Sequence, residues 1–380
     1  MTMHPTREAE CQNKNSGLVQ HTAIHRYLAL RFLLASGRRC VWRWLENCIK
    51  VLIDRKTSFD ESGLFLRQYV LQLTGIRKIC KITCTGLSGE GAGSQALMVM
   101  NAINFARAFG LTYVHSPFTM IQHADRPMEE WVAAWEAVFN LGAGEAVCET
   151  HRLDAVNFSY NFNDLDRCFG WRRRGDELAR RFKAIIPEFR RKYYLNKSPR
   201  KTKGVTVAVH VRRGDISHED PDYFTRNGAI LRTITSVKSI LDTHKVEYRI
   251  CVYSQRNRGD FAELSLPGVE FFLDADAVWT MQELVEADVL ITAKGCFSYC
   301  AGLISDGIKI SETVSPSDDD LPGWRWLYTC PPENWLMSQA DGSFNSAAFD
   351  RQLYALIQSK AIAVTDALTR GLDQKSTDPK

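Results

Sequence analysis

The constraint that bears hardest on the fold is an alternating run that ends in a cationic turn, Val205-Thr-Val-Ala-Val-His-Val-Arg-Arg-Gly-Asp215. Val205, Val207, Val209 and Val211 alternate with Thr206, Ala208, His210 and Arg212, the two-residue period of a β-strand with an apolar face. His210 and Arg212 therefore project to the same side, Arg213 follows, and Gly214-Asp215 breaks the strand into a turn. In open α/β sheets, ligands bind beyond the carboxyl ends of the strands, which is where these three donors fall. Two guanidinium groups and an imidazole there suit a phosphate or diphosphate, because arginine's planar fork matches such oxygens bidentately. The ordinary alternative is a solvated strand end. The Arg213-Gly214-Asp215 triplet also matches an adhesion tripeptide, but three residues are a weak pattern.

The flanking sequence repeats the strand–helix alternation. Strand patterns at 205–212, 247–254, 269–273, 288–292 and 308–311 are interleaved with helical ones at 229–243, 277–287 and 298–305. Before them come a strand at 78–86, a helix at 94–109, a strand at 111–115 and a helix at 129–139. A basic helix at 176–195, interrupted at Pro187, then leads to a linker at 197–203. Repeated β/α units predict an α/β fold with two Rossmann-like parallel-sheet lobes facing a cleft. The expected division is a helical, partly disordered N-terminal extension over 1–75, lobes over 76–200 and 201–330, and a helical tail over 331–380. The 380 residues suffice for two domains with well-formed cores.

Composition narrows the class. With 45% hydrophobic and 24% charged residues, the chain reads as a soluble globular protein. Its 11 cysteines include no Cys-x-x-Cys pair, and Cys84, Cys251 and Cys300 lie in apolar runs, so a reducing compartment without structural metal is expected. No stretch reaches the roughly 18–20 uninterrupted apolar residues of a membrane span, and none reads as a signal peptide. The net charge of +4 conceals two basic blocks, 21–56 and 172–203, on an acidic remainder. They suggest an anionic partner (a membrane surface, a phosphorylated ligand or nucleic acid) or else two solvated helix faces. Segments 24–35 and 41–53 have the amphipathic make-up of an interfacial helix, with packing onto the body as the alternative.

Two further turns could hold an anion. Gly89-Glu-Gly91-Ala-Gly93-Ser-Gln95 follows a strand and opens a helix, presenting N–H groups to a ligand. It lacks the Gly-Lys-Ser/Thr ending of a Walker loop, and Thr112-Tyr-Val-His115 stands where a dinucleotide fingerprint has an acidic residue. What remains is a loop that allows close approach of backbone to ligand, with Gln95 as a hydrogen-bonding group. Gly295-Cys296-Phe297-Ser298 forms a second such turn at a helix start. Asp274-Ala-Asp276 and Asp164-Leu-Asp166 match a metal-binding Asp-x-Asp, a pattern short enough to arise by chance.

Taken together, Gly91-Ala-Gly-Ser-Gln95, His210-Val-Arg-Arg-Gly-Asp215 and the late Ala287-Asp-Val-Leu-Ile…Phe297-Ser298-Tyr299 block resemble the α-1,2/α-1,6/protein-O-fucosyltransferase superfamily, especially its bacterial nodulation-type members. The resemblance spans roughly residues 78–312. It departs from the family at Ser94, where Asn is usual, and at Gly295-Cys296, where serines are usual. It implies a GT-B fold and inverting transfer from GDP-fucose, without a metal or other cofactor, to a glycan or glycolipid. It also implies that Arg212 and Arg213 hold the diphosphate with His210 beside them, that Arg212 stabilises the leaving group, and that Cys296, Phe297 and Ser298 touch phosphate or nucleoside. Gly91, Gly93 and Gln95 complete the donor set. An inverting transfer needs a base; the candidates are Glu219, Asp220 and Asp222, with Asp215 as an orienting group and Asp220 nearest by spacing. Tyr113–Phe118, His123, Trp131 and Trp135 fall in the other lobe, where an acceptor glycan would stack on aromatics; for the tryptophans core packing is the favoured reading. The expected setting is cytoplasmic, with a peripheral inner-membrane contact through the basic segments and no nucleic acid. The rival readings are an anion-binding module using 172–203 and a metal-dependent transferase using Asp274 and Asp276.

Overall fold

A computed structural model describes residues 80–85, 89–147, 155–160, 165, 169, 174–200, 202, 204–312 and 334–360 of the chain. The first half carries β1 (Lys81–Thr83), α1 (Ala92–Phe109), β2 (Thr112–His115), α2 (Met128–Phe139), β3 (Ala146–Val147), β4 (Ala155–Asn157) and α3 (Gly175–Tyr194). Then come β5 (Val205–His210), α4 (Asn227–His244), β6 (Tyr248–Ser254), β7 (Val269–Leu273), α5 (Ala277–Val285), β8 (Val289–Thr292), α6 (Cys296–Ile304), β9 (Ile308–Glu312) and β10 (Trp335–Ser338). Residues 346–360 form a further helix, α7. Residues 1–81 with 150–156 make one unit and residues 82–149 with 157–380 another; the site geometry below lies within the second. The expectations for residues 1–75, for Asp164 and for Asp166 fall outside the described residues.

Among the described residues the strands form two sheets, ordered β3-β2-β1-β4 and β10-β9-β8-β5-β6-β7. Every neighbouring pair of the second sheet is parallel. Starting from β5, the chain runs outward through β6 and β7. It then returns to the other side of β5 and runs outward again through β8, β9 and β10. This is the doubly wound nucleotide-binding order, and its switch point falls between β5 and β8.

The valines dictate this centre. Val205, Val207, Val209 and Val211 are each 3% exposed or less and share one cluster with Ile230, Ile234, Val237 and Leu241 of α4 and Phe349 and Leu353 of α7. Those α4 positions recur at helical spacing, so a single stripe covers the sheet. Each fully buried aliphatic side chain contributes about 1.5–3 kcal/mol. That burial fixes the register of β5, and with it which residues leave the strand at its carboxyl end.

Three features differ from the sequence expectation. β3, β4 and β10 are two to four residues long, too short for a period to show. The segment expected as a helical tail instead supplies an edge strand, with Trp335 opposite Lys309, before it supplies α7. α3 runs through Pro187 without a break. Leu178, Phe182, Ile186, Phe189 and Tyr193 along its buried face hold both halves to the body, offsetting the hydrogen bond that proline cannot donate.

Candidate functional site

The end of β5 is anchored from β6: Val211 N donates to Tyr253 O at 2.9 Å, and Ser254 Oγ donates to Val211 O at 2.6 Å. Beyond it, His210 and Arg212 both reach the turn before α6, as the alternation predicts. The His210 ring lies 5.3 Å from that of Phe297, and its Nδ1 is buried without a partner. Burial, reinforced by the Arg212 charge, lowers its pKa to about 4, so the imidazole is neutral at pH 7. Arg212 is half-buried. Its Nε and Nη2 hold Asp215 at 3.0 and 2.6 Å, and its guanidinium lies 5.6 Å from the Tyr223 ring centre. The hydrogen bond from Arg212 keeps the Asp215 carboxyl below its ordinary range.

Arg213 takes a different path. It is 5% exposed and stacks 3.9 Å from the Phe224 ring centre. It donates to Arg212 O at 2.9 Å, Thr225 O at 2.7 Å and Asn227 Oδ1 at 2.8 Å. Burial draws its pKa down to about 10, which still leaves it charged at neutrality. The two guanidiniums expected to act as a pair therefore diverge. One faces the α6 turn, and the other ties the 224–227 loop to the strand end.

The turn between β8 and α6 completes the crevice. Gly295 adopts φ +156°, and a Cβ there would stand 3.0 Å from Arg212 Nη1, so glycine lets the guanidinium lie against the backbone. Ser298, fully buried, accepts from Ala293 N at 3.0 Å and so shapes the turn from within. Burial pushes the Cys296 thiol up to about 11. Phe297 stands between His210 and Trp135, whose ring centre is 6.1 Å away. On the crevice floor, Glu312 accepts from Lys294 Nζ at 2.9 Å and from Thr225 Oγ1 at 2.8 Å. Sequence reasoning missed this pair; its one signal was that Lys294 follows the end of β8 and Glu312 closes β9. The crevice, whose cavity volume is about 20 Å³, is lined by His210, Arg212, Arg213, Tyr223, Thr225 and Glu312 among others.

The first glycine turn does something other than expected. A Cβ on Gly93 would fall 2.6 Å from Phe297 Cα and 2.8 Å from Cys296 O. The close approach that Gly93 permits is thus to the α6 backbone, and Ser94 hydrogen-bonds the Cys296 thiol there. Gln95 is 1% exposed and donates to Glu90 O at 2.8 Å and Met120 O at 2.7 Å, joining two loops. Gly91 lies beside His123, 3.8 Å from the ring to an added Cβ. Glu219, Asp220 and Asp222 are exposed, and Asp220 Oδ2 accepts from Ser217 N at 3.2 Å.

Comparison with known proteins gives the following. No family profile and no curated protein matches the chain. Among solved structures it is similar to E. coli heptosyltransferase WaaC with ADP, at 12% identity over 74% of this chain and 99% of that one, with a TM-score of 0.35. It is also similar to POFUT1 in complex with GDP-fucose, at 13% identity over 61% of this chain and 95% of that one, with a TM-score of 0.33. At these scores the likeness decides nothing about the site, which stands on its own geometry.

The residues behind the rival readings are placed as follows. Asp276 caps α5 by accepting from Trp279 N at 2.7 Å and also pairs with Arg126, so both of its oxygens are engaged. In the basic helix, Arg174 and Arg181 pair with Glu177, Arg190 donates to Ile304 O and Ser305 O, and Lys192, 1% exposed, pairs with Glu145. Trp131 and Trp135 are buried in the core. Among the described residues, no helix is long and apolar enough to cross a membrane.

Proposed function

We propose that this crevice binds a nucleoside diphosphate sugar and that the chain is a glycosyltransferase of the GT-B type. In this reading it moves fucose from GDP-fucose, with inversion and without a metal, to a hydroxyl of a glycan or glycolipid. The observation that carries the reading is Arg212: a guanidinium steered by Asp215, set against the α6 N-terminus at the switch point of a doubly wound sheet. As the sugar–phosphate bond breaks, negative charge gathers on the departing diphosphate. A fixed guanidinium and the N–H groups of a helix start meet that charge without reorganising. Neutral His210 adds a hydrogen-bonding imidazole without competing for the anion as a second cation. Arg213 supports the site by holding the 224–227 loop. The proposed setting is the cytoplasm, at the inner face of a membrane that carries the acceptor.

Calorimetric titration of GDP and GDP-fucose in the presence of EDTA tests this directly. Binding that persists in EDTA and weakens about 100-fold in Arg212→Ala is the expected result. A strict manganese requirement, or full affinity in Arg212→Ala, would overturn it.

A further inference from the structure

Of the large apolar side chains that stand exposed among the described residues, Tyr223 alone lines the crevice, and it is 47% exposed. Its ring stays largely open to water on a loop that is otherwise fastened. Before it, Asp220 Oδ2 accepts from Ser217 N at 3.2 Å and Pro221 O accepts from Lys294 Nζ at 3.3 Å. The Tyr223 and Phe224 amides both donate to Asp220 O, at 3.0 and 2.9 Å. After it, Phe224 lies against the Arg213 guanidinium, Thr225 O accepts from Arg213 Nη2 at 2.7 Å, and Thr225 Oγ1 donates to Glu312 at 2.8 Å. The backbone is thus held on both sides of an aromatic ring that the fold does not bury. Arg212 Cζ lies 5.6 Å from the centre of that ring. A lone exposed tyrosine is ordinary on a protein surface. One fixed beside the guanidinium of a crevice is a wall of that crevice.

On the basis of the nucleotide-sugar reading above, we propose that Tyr223 is the platform on which the donor sugar lies. The face of an aromatic ring is electron-rich and attracts the polarised C–H bonds of a pyranose. A 6-deoxy sugar such as fucose offers those bonds and a methyl group besides. In that reading Arg212 holds the diphosphate, and the sugar is bonded directly to its terminal phosphate. The nucleobase lies further off, beyond the inner phosphate and the ribose. A ring 5.6 Å from Arg212 Cζ therefore suits the sugar rather than the base. The contact is apolar and its loop is tied down, so it orients the anomeric carbon without adding charge to the crevice.

Calorimetric titration of the full chain with GDP and with GDP-fucose tests this, because only the second carries the sugar. In Tyr223→Leu the affinity for GDP-fucose is expected to fall about 10-fold, with GDP affinity and melting temperature unchanged. Tyr223→Phe keeps the ring and is expected to bind both ligands as the wild type does. Equal losses of GDP and GDP-fucose in the Leu variant overturn the platform in favour of a tyrosine that props Arg212 or meets the base. An unchanged GDP-fucose affinity in that variant overturns it too, as does a Phe variant that loses as much as Leu. In each of these outcomes wild-type protein still binds GDP, so the nucleotide-sugar reading stands. Wild-type protein that binds no GDP overturns that reading and the platform together.

Discussion

Two glycine-bearing turns, 89–93 after β1 and 293–296 after β8, use the same residue type for opposite ends. Gly93 admits another stretch of protein backbone, whereas Gly295 admits a charged side chain that faces the crevice. From the letters alone both read as cradles for an anion. The difference teaches that a glycine marks where something comes close, and only the surrounding fold says what that is.

The contrast can be broken most severely at Gly93. Gly93→Val drives two methyl groups into the Cys296–Phe297 backbone and should cost about 3 kcal/mol in urea unfolding. Gly295→Ala should cost less stability, about 1 kcal/mol, while visibly weakening GDP binding by displacing Arg212. If Gly93→Val is stable and loses GDP instead, the two roles are reversed.

A parallel contrast separates the arginines. Arg212→Ala should forfeit about 2.7 kcal/mol of GDP binding with little change in melting temperature. Arg213→Ala should lose about 2 kcal/mol of stability, because three part-buried acceptors lose their donor. Equal binding losses with unchanged melting would show that both guanidiniums serve the ligand.

His210 sets the pH response of this region. Its pKa falls from an ordinary 6.5 to about 4 on folding, so between those values the unfolded chain binds the extra proton. Stability contributed by neutral His210 is complete above about pH 6.5 and drains away towards pH 4, at no more than about 1.4 kcal/mol per pH unit. In His210→Gln this part of the slope should vanish from acid unfolding curves. The smallest effect belongs to Ser94→Ala, which removes one bond to Cys296 and should cost less than about 1 kcal/mol by thermal melting.

Much of the second sheet was legible because burial leaves a period. The valines of β5 predicted both the strand and the side on which His210 and Arg212 emerge. The same pattern could not show that Arg213 would meet the carbonyl of Thr225, since that contact depends on how a distant loop folds back. Gln95 reads as a hydrogen-bonding group for a ligand, and the family resemblance implies that Ser298 touches phosphate or nucleoside; in the fold both hydrogen-bond neighbouring backbone. Lys294 and Glu312 stand 18 positions apart and pair only because β8 and β9 lie side by side, so no local motif announced them. The four residues of β10 left no trace of their own, since an edge strand this short borrows its conformation from its partner.

The cations of α3 carry a consequence for purification. Arg190 is shared with the last carbonyls of α6, Lys192 is sealed away with Glu145, and Arg174 and Arg181 both lean on Glu177. A heparin resin can recruit only side chains that still face water alone, Arg191 being one that is exposed. This helix should therefore release from such a resin at lower ionic strength than its tally of basic letters suggests.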